Sequence, residues 1–361
     1  MKNWLSLLIA PFRNPAASVG VSVEVGPSVS QKQTATPPRA APRSDQLGST
    51  SLKPPAAPLD AGGTAVALFA WMVEREVDLK APLGARERRA LLELDRLATD
   101  AHAKGSLLPR ASAVVPRLLA QLRDPATSLS ELSEQVSRDV TLVAEVIRMA
   151  NSVSYRRQSD VVDLEQAIGV LGVDGLRFAI ARTVLKPLMD GRGGELSTRA
   201  GRRLWQHTDC KAQLSAALAR GEGIDPFDAY LLALVHDAVW SAVFRTMDAV
   251  VSGAVPWQFS AEFVQSLGAP RDRLFGVVAQ QWQLSDELTG VANEVAQHGL
   301  AAAGSSAPVR SLRIADHLAN LLCTHRIAVA KALAEPLLDK LPSNVRHSYL
   351  ALAQATHDAA A

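Results

Sequence analysis

The chain is predicted to be all-α, and three observations lead to this prediction. Apolar residues make up 48% of the 361 positions and aromatic residues only 5%, with alanine and leucine, both helix formers, predominating. From about residue 64 onward, apolar residues recur at spacings of three and four. No run alternates between apolar and polar residues over a useful length. We therefore expect an aliphatic helical core and no β-sheet.

Residues 1–60 are predicted to be a disordered leader. They hold nine of the 20 prolines, are otherwise rich in serine, alanine and threonine, and show no apolar periodicity that could bury a core. The apolar run Trp4–Ala10 is much shorter than the roughly 20 residues that a membrane-spanning helix needs, so no stable membrane insertion is expected. A secretory signal and a weak interfacial helix are the alternatives for this run.

Residues 61–106 are predicted to form a helical hairpin. Apolar residues recur at helical spacing around Leu68 and Met72, and again over Ala85–Ala103. Pro82 lies between the two stretches and breaks the helical pattern there.

Residues 107–300 are predicted to form the main domain, with residues 301–361 closing the chain as further helices. Gly191–Gly194 separates the domain into two halves. Phe227–Met247 is apolar on nearly all faces, which predicts a central buried helix. Ser128-Leu129-Ser130-Glu131 has the spacing of a capping box and marks a helix start.

Short motifs in the first half of this domain follow one another in a fixed order. They are Leu107-Leu108-Pro109-Arg110, Val114-Val115-Pro116-Arg117-Leu118-Leu119, Arg123-Asp124-Pro125, Val136-Ser137-Arg138-Asp139, Ala150-Asn151-Ser152, Leu164-Glu165-Gln166-Ala167-Ile168 and Leu171-Gly172. In content and order they resemble the HDOD module, the HD-related output domain of bacterial signalling proteins. The resemblance covers about residues 101–300. It implies an all-α fold of two helical lobes, a role as an output or scaffold module, and signalling proteins as partners.

Four residues in the second half are candidates for a site: His207, His236, Asp237 and Asp316. His236 and Asp237 lie in the middle of the apolar helix, where an unpaired carboxylate would cost several kcal/mol. His207 shares a helix face with apolar residues, and Asp316 lies on a later helix. Imidazole and carboxylate together suit divalent metals such as Mn, Fe, Mg or Zn, which can activate a water.

This order, a histidine, a His-Asp pair and a final aspartate, resembles that of the HD phosphohydrolases. The chain departs from the active members of that superfamily after the His-Asp pair, where Ala238-Val239-Trp240 replaces an isoleucine, a glycine and a lysine. Val295-Ala296 stands where related enzymes carry paired histidines, and Arg271-Asp272 where a metal-binding histidine would stand. A two-metal site is therefore expected to be lost, and a single divalent metal remains possible.

Each candidate also has a reading without metal. His207 would then be a hydrogen-bonded core histidine, Asp237 would bind a backbone N–H or an arginine such as Arg202, and Asp316 would cap or pair on a helix surface. If the residues converge without metal, we expect direct hydrogen bonds among them.

We therefore predict a non-catalytic regulatory module that acts through protein–protein interaction on a degenerate HD phosphohydrolase scaffold, with no catalytic residue and no cofactor. The alternative is a metal-dependent phosphohydrolase or phosphodiesterase acting on a nucleotide or cyclic dinucleotide. A nucleic-acid-binding regulator is disfavoured because the net charge is only +2. The only two cysteines, Cys210 and Cys323, lie far apart in the sequence, which fits a reducing cytoplasm.

Overall fold

The computed structural model describes residues 61–99, 115–124, 126–152, 160–189, 193–250, 257–302 and 305–358. The predicted leader, residues 1–60, lies outside the described residues, and so does the end of the predicted hairpin.

The described ranges form helices joined by short turns, with one pair of very short strands. The elements are α1 (Ala61–Val73), β1 (Val77–Asp78), α2 (Ala85–Thr99), α3 (Val115–Arg123), α4 (Leu129–Ser137), α5 (Val140–Ala150), α6 (Leu164–Met189), α7 (Glu195–Glu222), α8 (Pro226–Val250), β2 (Phe259–Ser260), α9 (Ala261–Ser266), α10 (Gly268–Gln281), α11 (Asp286–His298), α12 (Ala307–Thr324), α13 (Ile327–Leu338) and α14 (Ser343–Asp358). The predicted all-α class is confirmed.

The expectation of no β-sheet is wrong at one point. Val77 and Asp78 pair in parallel with Phe259 and Ser260. Two-residue strands are too short to produce an alternating pattern, so the sequence carries no periodic signal for them.

The segment before the main domain packs into the second half of the protein. Helix α1 lies against α7, α9 and α12, whereas α2 lies against α8 and α10. Phe69 of α1 is fully buried, and its ring meets that of Phe259 edge-on at 4.9 Å. Glu87 of α2 accepts a hydrogen bond from the backbone N–H of Ser260 at 2.7 Å. Residues 61–99 are thus part of the second half's core, although the sequence suggested a hairpin of their own.

The first lobe consists of α3 to α6, with α6 packed against each of the other three helices. Motif residues fix its turns. Ser128 and Glu131 form the predicted capping box, and Asp139 caps α5 by accepting from the N–H of Thr141 at 2.8 Å. The Asn151 side chain exchanges two hydrogen bonds of 2.7 Å with the backbone of Val161.

The second lobe is built around α8, which is buried over almost its whole length, as predicted. Helix α7 packs along α8 more extensively than any other pair of helices, and α12 packs on α7. Among the described residues, α8 is the one helix long and apolar enough to span a membrane, and its apolar stretch is entirely buried within the fold.

Candidate functional site

Three helices of the second lobe bring polar side chains together in the core. Helix α7 carries His207 and Lys211, which lie four residues apart and therefore on one face. Helix α8 supplies His236 and Asp237, and α12 supplies Asp316. These five residues are named the HD cluster below.

Asp237 lies at the centre of the HD cluster and is fully buried. Its Oδ2 is 2.7 Å from Nδ1 of His207 and accepts from Oγ1 of Thr208 at 3.1 Å. Its Oδ1 accepts from Nζ of Lys211 at 2.8 Å. Burial by itself would raise the pKa of Asp237, but Lys211 and His207 outweigh it and hold that pKa well below its usual range. Asp237 is therefore an ionised carboxylate inside the protein.

Lys211 supplies the positive charge that this carboxylate needs. Its side chain is fully buried, and its Nζ lies 2.7 Å from Nδ1 of His236, 2.8 Å from Oδ1 of Asp237 and 2.6 Å from Oδ1 of Asp316. The ammonium donates hydrogen bonds to His236 and Asp237, whereas its contact with Asp316 is an ion pair without a hydrogen bond. Donation to Nδ1 of His236 places the proton of that neutral imidazole on Nε2.

The side chain of Asp316 faces the interior, and only 16% of its surface is exposed. Burial would raise its pKa, but Lys211 and His207 lower the pKa below its usual range. Nδ2 of Asn320, one turn further along α12, donates to Oδ2 of Asp316 at 3.2 Å.

The four residues predicted from the sequence therefore do converge. One ligand atom each from His236, Asp237 and Asp316 lies within 4.8 Å of the others, and His207 binds Asp237 directly. The suggested partner of Asp237, Arg202, is wrong, since the cation is Lys211. The reading of Asp316 as a helix-surface residue is wrong as well.

A second ion pair borders the HD cluster on α10. Oδ1 of Asp272 is 3.7 Å from Nε2 of His236 and 3.2 Å from Nη2 of Arg271. Burial would raise the pKa of Asp272, and the Arg271 guanidinium outweighs it and lowers that pKa. Oδ2 of Asp272 accepts from the backbone N–H of Leu300 at 3.0 Å.

Sequence reasoning missed Lys211 and saw Arg271-Asp272 only as the loss of a histidine. A signal for Lys211 was present, because the residue follows His207 by four. It also lies between the small residues Cys210 and Ala212. A lysine in a helix of mixed polar and apolar residues is usually a surface residue with an exposed ammonium group, so the sequence did not indicate its buried position.

A divalent metal does not fit the HD cluster as it stands. One imidazole and two carboxylates are a suitable donor set, and a bound ion would lie about 2 Å from each ligand atom. The Lys211 ammonium lies between 2.6 and 2.8 Å from these same three side chains. The ammonium and a dication would compete for one position, so the cluster with its lysine in place is an ion-pair network and not a metal centre.

Four of the five residues of the HD cluster are also closed to solvent. His207, Lys211, His236 and Asp237 have no exposed surface. A cleft of about 300 Å³ lies elsewhere on the protein, and none of its lining residues belongs to the cluster. It is lined by Leu119, Ala120, Arg123, Asp124, Gln283, Leu284 and Ser285.

Comparison with known proteins agrees with the motifs of the first lobe and the geometry of the second. The family profile of the HDOD domain matches residues 108–298. This chain belongs to the HDOD domain family. The HDOD match includes four members of the HD cluster, while Asp316 lies beyond its end.

Two solved structures are similar to this chain. A proposed metal-dependent phosphohydrolase from Shewanella amazonensis SB2B superimposes with a TM-score of 0.53 and 17% identity, over 76% of this chain and 100% of the other. An HDOD domain protein with unknown function from Geobacter sulfurreducens gives a TM-score of 0.44 and 17% identity, over 76% and 95% of the two chains. At these identities the likeness concerns the fold alone.

An uncharacterized protein from Treponema pallidum (strain Nichols) is 21% identical over 132 residues. The match covers 36% of this HDOD chain and 25% of the relative, so this chain spans about a quarter of that protein's length.

Proposed function

We propose that this HDOD protein is a non-catalytic regulatory module of bacterial signal transduction, located in the cytoplasm, which acts by binding a signalling protein. The observation that supports the proposal most is the closure of the HD cluster. Its four inner side chains have no exposed surface, so a nucleotide has no route to them without opening the second lobe.

The hydrogen bonding of the HD cluster supports the same proposal. A hydrolase needs a group free to take a proton from water and an electrophile to hold the phosphate. Both oxygens of Asp237 already accept hydrogen bonds, and Nδ1 of His236 accepts from Lys211. The cluster holds three helices together, and these contacts occupy both oxygens of Asp237 and Nδ1 of His236, which are therefore not available for this chemistry.

Exposed aliphatic side chains give the protein surfaces for a partner. Val329 and Leu333 lie four residues apart on α13, with 47% and 51% of their surface exposed. In the first lobe, Val140 and Val162 are 78% and 75% exposed. Apolar side chains of this kind lose contact with water when a partner binds, which favours association.

The alternative, a metal-dependent phosphohydrolase acting on a nucleotide or cyclic dinucleotide, has one observation in its favour. His236, Asp237 and Asp316 lie close enough for a common ion. The contacts of Lys211 with all three side chains outweigh this observation.

A turnover measurement distinguishes the two functions. The full chain, purified without chelators, is incubated with cyclic-di-GMP and with common nucleotides in the presence of Mn²⁺ or Mg²⁺, beside folded His236→Ala and Asp237→Ala variants. We expect no turnover above that of the variants. Turnover by the wild-type protein that both variants lose would establish the phosphohydrolase.

Binding is tested separately with paired surface variants. Proteins that copurify with the wild-type chain from its own cells are compared with those retained by Val329→Asp/Leu333→Asp and by Val140→Asp/Val162→Asp. We expect one pair to lose a partner that the other pair keeps. Retention of the same partners by both folded variants would rule out these two surfaces.

A further inference from the structure

We propose that Lys211 is the resident cation of the HD cluster, and that removing its side chain creates a binding site for one divalent metal ion. This inference concerns the chemistry of the core and does not depend on the signalling role. The resemblance to HD phosphohydrolases leads one to expect a metal between these histidines and carboxylates. We infer instead that the ammonium of Lys211 occupies that position.

The first support is position. The Lys211 ammonium lies within 2.8 Å of an imidazole nitrogen and of two carboxylate oxygens, from helices α8 and α12. Few side chains could place a cation there. Lys211 reaches this position because it lies one helical turn after His207 on α7. Nδ1 of His207 contacts Oδ2 of Asp237, which leaves Oδ1 for Lys211.

The second support is charge. Removal of Lys211 leaves three carboxylates, Asp237, Asp272 and Asp316, close to the guanidinium of Arg271. A divalent ion would offset the negative charge that the lysine no longer balances. Buried carboxylates without a counter-charge are strongly destabilising, so the variant protein gains stability by taking up a cation.

The third support is spare coordinating capacity. Removal of Lys211 frees Nδ1 of His236, which accepts from its ammonium, and Oδ1 of Asp316 is buried with no hydrogen-bond partner among the described residues. Replacing lysine by alanine also removes three methylene groups and the ammonium, which leaves room for an ion and water. An imidazole and two carboxylates together suit Mn²⁺ and Zn²⁺.

The experiment compares Lys211→Ala with Lys211→Met in the full-length chain. Both variants remove the positive charge, but methionine keeps the space filled and alanine opens it. Each protein and the wild type are incubated with Mn²⁺ or Zn²⁺, passed through a desalting column, and analysed for metal content and melting temperature. We expect about one ion per chain in Lys211→Ala, together with a melting temperature several degrees higher than without metal. We expect neither effect in Lys211→Met or in the wild type.

A ligand deletion shows whether the ion uses the HD cluster. Lys211→Ala/Asp316→Asn should lose the bound ion and the thermal shift, because one carboxylate ligand is gone. If Lys211→Ala is unfolded without metal, it is refolded from urea with and without Mn²⁺ or Zn²⁺, and recovery of the helical circular dichroism signal only with metal supports the proposal.

Three results would overturn the inference. One is a wild-type protein that retains an ion at the cluster, since Lys211 would then not occupy its place. Another is a folded Lys211→Ala variant with no more bound metal than Lys211→Met. The last is a Lys211→Ala variant that refolds with neither metal, because a dication could then not replace the lysine.

Discussion

Arg123 at the end of α3 donates two hydrogen bonds to Asp228 in the first turn of α8, from Nε to Oδ1 at 2.6 Å and from Nη2 to Oδ2 at 2.8 Å. This paired geometry joins the first lobe to the central helix of the second. Their side chains are 23% and 11% exposed, so solvent weakens the pair less than it weakens a surface pair.

We expect Arg123 and Asp228 to be energetically coupled. A double-mutant cycle with Arg123→Ala, Asp228→Ala and the double variant, measured by urea unfolding, should give a coupling free energy of about 1 kcal/mol. The control is a cycle on Glu134 of α4 and Arg138 just after its end, an exposed pair, where we expect about 0.3 kcal/mol. Equal coupling in the two cycles would mean that the inter-lobe pair contributes no more than a surface pair.

The stabilising contribution of the Glu145 ion pairs should be lost in acid. It lies between Arg148 and Arg182, with Oε1 2.6 Å from Nε of Arg182. Burial would raise the pKa of Glu145, but the two guanidinium groups outweigh it and lower that pKa. Its stabilising contribution is therefore complete above the unfolded-state pKa of about 4.3 and is lost as the pH falls through the lower pKa of the folded state.

The Glu145→Gln variant tests this pH dependence. Its free energy of unfolding should be lower than that of the wild type at pH 7, and the difference should shrink as the pH is lowered below about 4. Glu165→Gln, at an exposed position of α6, controls for the loss of one negative charge. A difference that stays constant from pH 7 to pH 3 would contradict the expectation.

Gly172 of α6 should be more sensitive to substitution by alanine than Gly169 of the same helix. Its φ of 64° and ψ of −167° interrupt the helix and belong to a region that only glycine adopts readily. Gly172→Ala should therefore destabilise the protein by about 1–3 kcal/mol. Gly169→Ala, in the regular helix, should be neutral or stabilising by up to about 1 kcal/mol.

Space does not explain this difference, because a Cβ at Gly169 or at Gly172 would meet no atom within 4 Å. Urea unfolding of both variants measures the difference between their free energies of unfolding. Similar effects at the two positions would show that the backbone at Gly172 is not constrained.

Asp248, near the end of α8, should act as the cap of α7. Its carboxylate accepts from the N–H groups of Gly194, Leu196 and Ser197, each at 3.0 Å, and from Oγ of Ser197 at 2.6 Å. Asp248→Ala should cost about 2 kcal/mol, with Asp248→Asn intermediate because it loses the charge near the helix N-terminus.

Amide hydrogen exchange provides the local readout for Asp248. The N–H groups of Leu196 and Ser197 should exchange faster in Asp248→Ala, while those in the middle of α7 stay protected. Gly194→Ala should have a comparable effect, since its Cβ would lie 2.5 Å from Cγ of Asp248. Unchanged exchange at Leu196 and Ser197 would show that water replaces the cap without loss.

Much of the fold could be predicted from local signals. Further helices were predicted for residues 301–361, where α12 to α14 lie, and the apolar run from Phe227 to Met247 identified the central helix. Ser128 and Glu131 marked the start of α4. These signals lie within single elements, where the period of the helix and the chemistry of its ends are read directly from neighbouring residues.

What could not be predicted depends on contacts between distant parts of the chain. Phe69 meets Phe259, and Val77 pairs with the same residue, across more than 180 positions. In the HD cluster, the order of residues predicted that His236, Asp237 and Asp316 would meet. It did not predict that Lys211 would enter between them, because the direction of a lysine side chain depends on the helices packed around it.

The docking of α1 onto the second lobe has a consequence for protein synthesis. Phe69 leaves the ribosome long before Phe259 and Phe263, two of the four aromatic residues whose rings it contacts, have been made. Part of the aliphatic and aromatic surface of α1 is therefore exposed until these residues are translated, and the first lobe is complete before that surface is covered. Chains released early, or cut after α8, would carry a partly uncovered helix that favours aggregation or capture by a chaperone.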